Sequence, residues 1–151
     1  MKLIMKILLF LLFNFSALAI GSLFTGDGVA SDWYYSLNKA PWTPPGLIFG
    51  LAWTTIMICF SIYMAVLYKE DKRIIALYCI QLLLNIAWNP LFFYFQNALI
   101  ALIFILSLTI VVAIFLFHYQ KSMRWYSLLI LPYFIWMCIA TSLNLYIVLY
   151  N

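Results

Sequence analysis

The sequence predicts an all-α integral membrane protein with five transmembrane helices in a single bundle. Of its 151 residues, 68% are hydrophobic and only 8% are charged, whereas soluble domains are about half apolar and a quarter charged. The uncharged stretches between the charged clusters are long enough to cross a bilayer, which takes about 20 apolar residues per helix. Five such helices use up the chain, so we expect residues 1–151 to form one domain.

The positions of the charges define these helices. Residues 7–26, 40–68, 74–120 and 125–151 are uncharged, and the third stretch can hold two helices with a turn near Gln96–Asn97. We therefore predict helices at about 5–24, 44–68, 73–95, 98–119 and 124–149. The fourth helix carries only Ser107 and Thr109 among aliphatic residues, so we expect it to face lipid more than the others do.

The basic residues are distributed unequally between the two ends of the predicted bundle. One end holds Lys39 alone, and the other holds Lys2, Lys6, Lys69, Lys72, Arg73, Lys121 and Arg124. The positive-inside rule then predicts a bacterial cell membrane protein with a cytoplasmic N-terminus. Basic turns at a lipid surface account for the net charge of +4, so no nucleic-acid partner is expected.

The N-terminal segment has two interpretations. Lys2, Lys6 and an apolar run that reaches Ala17-Leu18-Ala19 are typical of a cleavable secretory signal. The apolar run continues beyond this point, and Ala17 with Gly21 forms a pair of small residues suited to helix packing. We therefore favour a retained first helix.

The connection at residues 25–43 is far longer than the other turns, and we predict that it is a lid over a cavity. At its end we expect Thr43 to cap the second helix and Pro44 to take the first helical position. Gly46 and Gly50 would then allow close backbone approach. The aromatic residues of this connection are Trp33, Tyr34, Tyr35 and Trp42.

Three helices carry polar and aromatic residues at helical spacing, which indicates faces that point into the bundle. Pro90 predicts a kink in the third helix. These faces favour either a cavity for a large, flat, apolar ligand or plain interhelical packing. The faces consist of Gln81, Asn85, Trp88, Asn89 and Phe92; of Pro132, Trp136, Ala140, Leu143 and Asn144; and of Phe49, Trp53, Ile56 and Phe60.

The predicted spans lack the groups that several function classes need. Away from their ends, which carry Lys6, Arg73 and Arg124, they contain no Asp, Glu, Lys or Arg, which disfavours ion-coupled transport. His118 is the only histidine, so no hydrolytic triad or metal cluster can be assembled, and we expect neither a metal nor another cofactor. Cys59, Cys79 and Cys138 lie on three different spans, and we expect them to be buried as small apolar residues.

Five motifs occur along the chain in an order that resembles the tryptophan-rich sensory protein/translocator protein (TspO) family. The resemblance implies a five-helix bundle, usually a homodimer, that binds porphyrins such as protoporphyrin IX. The motifs are Trp33-Tyr34-x-x-Leu37-x-Lys39, Trp42-x-Pro44-Pro45, Phe49-x-x-x-Trp53, Asn85-x-x-Trp88-Asn89-Pro90-Leu91-Phe92-Phe93 and Pro132-Tyr133-x-x-Trp136-x-x-x-Ala140-x-x-Leu143-Asn144.

The resemblance also implies a set of ligand-binding positions and leaves two functions open. The expected function is a tetrapyrrole sensor or regulator, with light-dependent porphyrin degradation by Trp53 and Trp136 as a further implication. The alternative is an uncoupled transporter of small apolar molecules such as sterols or porphyrins. Together with the polar faces, the resemblance gives the ligand-binding residues Tyr34, Pro44, Phe49, Trp53, Asn85, Trp88, Asn89, Phe92, Trp136, Ala140 and Leu143.

The chain departs from the family pattern at two places. The family's Lys-Pro-x-Trp reads Lys39-Ala40-Pro41-Trp42 here, and no base follows Arg124, so the C-terminal cholesterol motif is incomplete. Because no histidine is near the predicted cavity, an iron porphyrin would find no imidazole ligand. We therefore expect metal-free porphyrin to bind at least as well as haem.

Overall fold

The computed structural model describes residues 2–69 and 71–151. Within them, five helices are long and apolar enough to cross a membrane, which confirms the predicted fold class. A π-helical turn, Pro90–Tyr94, extends α4, and a 3₁₀ turn, Arg124–Leu129, precedes α7. The α-helices are α1 (Leu3–Val29), α2 (Asp32–Ser36), α3 (Gly46–Leu67), α4 (Lys72–Asn89), α5 (Ala98–His118), α6 (Gln120–Met123) and α7 (Leu131–Tyr150).

The five long helices form a ring in which each helix contacts two neighbours. Around the ring the order is α1, α4, α5, α7 and α3. At the centre of the bundle, the phenyl group of Phe60 on α3 packs against one aromatic residue from each of three other helices. These residues are Tyr78, Phe115 and Tyr133, with ring centroids 5.3 to 6.0 Å from that of Phe60. Aromatic packing therefore connects α3 with α4, α5 and α7.

Buried polar side chains bridge the helices within this apolar core. The amide of Asn14 on α1 donates to Ser61 Oγ on α3 at 2.8 Å and accepts from Tyr78 Oη on α4 at 2.8 Å. The amide of Gln81 donates to Tyr133 Oη at 2.7 Å. Hydrocarbon offers no water to replace these partners, so an unpaired polar group inside the bundle is costly. Gln81 Oε1 is such a group, since it is buried without a hydrogen-bond partner among the described residues.

The predicted lipid exposure of the fourth helix, α5, is wrong. Within its most apolar stretch α5 is the most buried of the five helices, and α1 is the least buried. A helix that is apolar on every side has similar hydropathy on its lipid face and on its core face, so its composition does not predict its burial. The buried residues of α5 are Ala101, Leu102, Ile105, Leu108, Val111, Val112, Phe115 and Leu116.

The predicted start of the second helix also needs correction. Helix α3 begins at Gly46 with Pro45 as N-cap, and the Thr43 hydroxyl donates to Ala40 O at 2.7 Å. A residue before proline avoids the helical conformation, so Pro44 stays extended before Pro45 and Thr43 lies too early to cap. A Cβ added at Gly46 or Gly50 would meet nothing within 4 Å, so these glycines allow no close approach within the chain.

The ends of two other helices differ from their predicted positions. Helix α1 continues to Val29, so the long connection begins at residue 30 and not at 25. Helix α7 begins at Leu131 and not at 124. A proline within a helix clashes with the carbonyl four residues earlier. A continuous helix through Pro132 is therefore unfavourable, and the chain reaches it in the 3₁₀ turn.

Pro90 and the turn that follows lie where the sequence predicts them. The helical path changes at Pro90 into the π-helical turn, and Gln96 adopts a φ of +52° before α5. Asn97 Oδ1 accepts from Ile100 N at 3.0 Å and caps α5. The predicted burial of the cysteines is wrong for Cys79 and Cys138, which are exposed on the outside of the bundle.

Gly28→Ala tests the close contact between the end of α1 and the π-helical turn. A Cβ at Gly28 would clash with the Cβ and ring of Phe93, whereas one at Gly26 would meet nothing within 4 Å. We expect Gly28→Ala to lower the free energy of unfolding by about 1–3 kcal/mol. Gly26→Ala should stay within about 1 kcal/mol of the unmodified protein. Thermal midpoints in detergent measure both, and equal midpoints for the two variants would contradict the contact.

Candidate functional site

A small cavity of about 70 Å³ lies at the end of the bundle where the long connection passes. We call it the loop-side cavity. The connection forms one wall, and the start of α3, the end of α4 with its π-helical turn, and the second half of α7 form the others. The lining residues are Tyr34, Lys39, Thr43, Phe49, Trp88, Phe92, Phe93, Ala140, Leu143, Asn144 and Ile147.

The structure brings together six of the ligand-binding residues that the sequence predicts. They come from four separate segments of the chain. The six residues are Tyr34, Phe49, Trp88, Phe92, Ala140 and Leu143.

The two tryptophans linked by the resemblance to light-dependent chemistry, Trp53 and Trp136, are not among the residues that line the cavity. The buried ring of Trp136 packs edge-to-face on Phe49 with centroids 5.2 Å apart. Trp53, one turn further along α3, packs edge-to-face on Tyr133 at 6.1 Å. Trp136 therefore contacts the lining residue Phe49, and Trp53 packs against the aromatic core.

The side chains that the sequence predicts on one polar face of α4 contact two different neighbouring helices. Asn89 Oδ1 accepts from Thr25 Oγ1 of α1 at 2.7 Å, while the indole of Trp88 points towards α7. Successive helical residues project about 100° apart, so two adjacent side chains reach different neighbours. Asn85 is buried without lining the cavity, and Pro44 lies beside the lining residue Thr43.

Asn144 is a lining residue that the list of ligand-binding positions omits, and it holds Trp88 in place. Its Oδ1 accepts from Trp88 Nε1 at 3.0 Å, and its Nδ2 donates to Ala98 O at 2.8 Å. The amide therefore connects α4, α5 and α7 at the cavity wall. Its helical spacing from Ala140 was the available signal, and Ile147, seven residues beyond Ala140, extends the same face.

Lys39 is the other important residue absent from the predicted positions. Its Nζ lies 4.2 Å from the ring centroid of Tyr34 and 5.9 Å from that of Tyr35, which is a cation–π geometry. Burial raises the pKa of the Tyr34 phenol above its ordinary value, so the ring is neutral at pH 7. Two signals in the sequence pointed to Lys39: it is the one base between Lys6 and Lys69, and it ends the first of the family motifs.

A few contacts hold the connection over the cavity. Trp42 Nε1 donates to Ser142 Oγ at 3.1 Å, and its ring packs edge-to-face on Tyr146 at 5.5 Å. The Asn38 backbone N–H donates to Asn151 Oδ1 at 2.7 Å, and Asn151 Nδ2 donates back to Asn38 O at 3.2 Å. These hydrogen bonds are exposed, so the connection opens at lower cost than the helical walls.

The cavity as it stands is smaller than a ligand site. A volume of about 70 Å³ is about that of two water molecules, at about 30 Å³ each. Sites for drug-sized ligands run from about 300 to 1,000 Å³. A large ligand therefore requires the connection to move away from the helical walls.

The side chains of the cavity are mostly apolar. Aromatic rings and aliphatic groups form most of its surface, and the Lys39 ammonium is its one charged group. Among the described residues that line it there is neither a histidine nor a cysteine. The site thus matches an apolar molecule that carries an anionic edge.

The fold and cavity define a class of polytopic helical membrane protein with a small, mostly apolar cavity between its helices and one long loop. Comparison with known proteins identifies the family: the TspO/MBR family model matches residues 8–150, and the chain belongs to that family.

Named relatives support this assignment over most of the chain. The "Tryptophan-rich protein TspO" of Archaeoglobus fulgidus is 36% identical over 100% of this chain and 97% of its own. The "Tryptophan-rich sensory protein" of Cereibacter sphaeroides is 35% identical, with 75% and 73% covered. The human "Translocator protein" is 30% identical, with 83% and 78% covered.

Ala140→Leu tests whether the space beside Ala140 is a real cavity. The larger side chain enters empty space, so we expect the thermal midpoint in detergent to change by no more than about 2 °C, equivalent to under about 1 kcal/mol. Ala101→Leu is the matched control, because Ala101 is fully buried in packed core. That change should cost about 1–3 kcal/mol through overpacking. An equal loss in both variants would show that Ala140 is an ordinary packing position.

Proposed function

We propose that this TspO-family membrane protein binds porphyrins such as protoporphyrin IX in the loop-side cavity and acts as a tetrapyrrole sensor or regulator. The observation that carries the proposal is the Lys39 ammonium at the edge of an otherwise aromatic and aliphatic cavity. Protoporphyrin IX combines a flat apolar macrocycle with two carboxylates on one edge. Its two parts correspond to the two kinds of surface in this cavity.

The aromatic wall supports binding of the macrocycle. Trp88 and Phe92 stack with an interplanar angle of 15° and centroids 5.1 Å apart, and Phe93 packs against both rings. Asn144 fixes the indole through its hydrogen bond to Nε1. A wall held in this way offers a flat ligand apolar contact without first losing side-chain freedom.

The ammonium supports binding of the carboxylates. Lys39 Nζ rests on the Tyr34 ring, and a charge-assisted hydrogen bond to a carboxylate is stronger than a cation–π contact at a partly exposed site. A ligand carboxylate would therefore draw Lys39 from Tyr34. Because both residues lie on the connection, this exchange would accompany opening of the cavity.

Two other functions that the resemblance implies stay predictions. For light-dependent degradation, Trp53 and Trp136 do not line the cavity, so direct contact with a ligand there would need rearrangement. For uncoupled transport, the described residues offer no observation that favours a path across the bundle. The homodimer and the cytoplasmic N-terminus in a bacterial cell membrane also stay predictions.

Lys39→Gln tests whether the Lys39 ammonium contributes to porphyrin binding. We expect protoporphyrin IX, titrated against the detergent-solubilised protein and followed by quenching of tryptophan fluorescence, to bind Lys39→Gln about 10- to 100-fold more weakly. The reason is the loss of a hydrogen bond to a charged group, about 1.5–3 kcal/mol.

Two controls separate this effect from a general loss of charge. Protoporphyrin dimethyl ester has no carboxylate, so it should bind the unmodified protein and Lys39→Gln equally. Lys72→Gln removes a base at the other end of the bundle and should leave affinity unchanged. No saturable quenching at micromolar porphyrin would refute the proposed function, and equal affinity of Lys39→Gln for the free acid would refute the role of Lys39.

Trp42→Phe tests whether the connection limits entry. The change removes the hydrogen bond to Ser142 Oγ but keeps an aromatic ring against Tyr146. We expect the association rate for protoporphyrin IX to rise about two- to tenfold, since one hydrogen bond contributes about 0.5–1.5 kcal/mol. Stopped-flow quenching measures the rate, and Trp125→Phe, an exposed position at the other end, is the control. An unchanged rate would show that the connection does not gate the cavity.

A further inference from the structure

A second and larger cavity, of about 440 Å³, lies at the opposite end of the bundle. We call it the basic-end cavity. It is formed where α3 ends, α4 begins and the chain passes from α5 through α6 into the 3₁₀ turn. Its volume falls in the range of small-molecule sites. The lining residues are Val66, Leu67, Lys69, Ile74, Tyr119, Ser122, Met123, Arg124, Trp125 and Tyr126.

Two bases from different turns of the chain line this cavity. Lys69 follows α3 and Arg124 follows α6, so the two residues are distant in sequence. The fold places both of them on the lining of this cavity. Arg124 has a φ of +50°, a backbone conformation that a non-glycine residue adopts only where its surroundings hold it. The fold therefore holds Arg124 beside the cavity in a backbone conformation that is unfavourable by itself.

Apolar and aromatic groups form the rest of the cavity. Leu67, Ile74 and Met123 are buried, with 3 to 4% of each exposed. Trp125 and Tyr126, in contrast, are 83% and 51% exposed, and exposed aromatic residues at helix ends are typical of the bilayer interface. The cavity thus combines an apolar base, an aromatic rim and two cations.

The surrounding turns strengthen the positive charge. The two turns at residues 69–73 and 121–124 contain five bases and two acids. One of the acids, Asp71, accepts from the backbone N–H of Arg73 at 2.8 Å and caps α4. Lys6 adds a further base, because its Nζ donates to Tyr68 O at 3.1 Å at the end of α3.

We propose that the basic-end cavity binds an anionic phospholipid, with the phosphate against Lys69 and Arg124 and the start of an acyl chain against the apolar residues. The position supports this, since the cavity lies at the ends of bilayer-length helices, at the level of lipid headgroups. Basic pockets between transmembrane helices bind such headgroups. Free inorganic phosphate would use the two bases alone and gain nothing from the apolar wall. This site is separate from the loop-side cavity and does not depend on the porphyrin proposal.

The test is a titration of the full chain in detergent with dioleoyl phosphatidylglycerol, followed by native mass spectrometry. We expect one lipid to bind more tightly than dioleoyl phosphatidylcholine does. Lys69→Gln and Arg124→Gln should each weaken this binding roughly fivefold. Both side chains are exposed, and glutamine keeps the side-chain length near that of lysine, so the fold should persist; thermal midpoints without lipid check this.

Two further variants separate a defined site from diffuse attraction. The double change Lys2→Gln/Lys121→Gln removes two bases of the same end that do not line the cavity, and it should leave affinity within about twofold. Ser122→Trp fills the cavity without changing its charge and should abolish the tight binding.

Four results would overturn the proposal. They are equal affinity for the two lipids, equal weakening by the lining and non-lining pairs, unchanged binding in Ser122→Trp, and a thermal midpoint that sodium phosphate alone raises as much as phosphatidylglycerol does. The last result would identify a free-phosphate site.

Discussion

The amide of Asn14 is the interaction on which the rest of the bundle depends. It is fully buried and joins Ser61 on α3 to Tyr78 on α4, so one side chain of α1 connects three helices. A relative shift of these helices would break one of the two hydrogen bonds, and hydrocarbon offers no water to replace the lost partner. The same constraint gives α1, the least buried helix, a defined position within the ring.

The fixed position of α1 determines the shape of the loop-side end. Further along this helix Gly21 lies against Asn89, and Gly28 lies against Phe93. Thr25 adds a hydrogen bond to Asn89. These contacts hold the end of α4 and its π-helical turn, where Phe93 and its neighbour Phe92 line the cavity. The hydrogen-bonded helix contact at Asn14 and the aromatic wall of the cavity are therefore parts of one packing arrangement.

The two ends of the bundle have different chemistry although both contain a cavity. At the loop-side end, aromatic rings surround one ammonium, and one wall is a connection held by a few exposed contacts. At the basic end, helix termini and short turns carry many cations, and the cavity lies open between them. A movable wall is suited to a ligand that must enter and leave, whereas a preformed open cavity is suited to a molecule that is always present at the membrane surface.

The sequence alone determined the fold class and the positions of most turns. Charged residues and turn-forming residues are excluded from bilayer-spanning helices whatever their neighbours are, so the charge clusters and Asn97 located the helices. Six of the cavity residues were also predictable, because helical spacing and the family motifs place Trp88, Phe92 and Ala140 on inward faces. The start of the last helix was predicted wrongly. The sequence around Pro132 is compatible with a kinked helix and also with a 3₁₀ turn before a new helix, and the structure has the turn.

Only the tertiary structure decided which neighbour each inward face contacts. It paired Trp88 with Asn144 and the adjacent Asn89 with Thr25. It also buried α5, brought Lys39 beside Tyr34, and placed Lys69 and Arg124 on the lining of one cavity. Hydropathy is an average over one segment, and lipid is as apolar as the protein core, so it carries no information about which helices are adjacent. Adjacency depends on the pairing of particular side chains across distant segments, and that pairing exists only when the helices are packed.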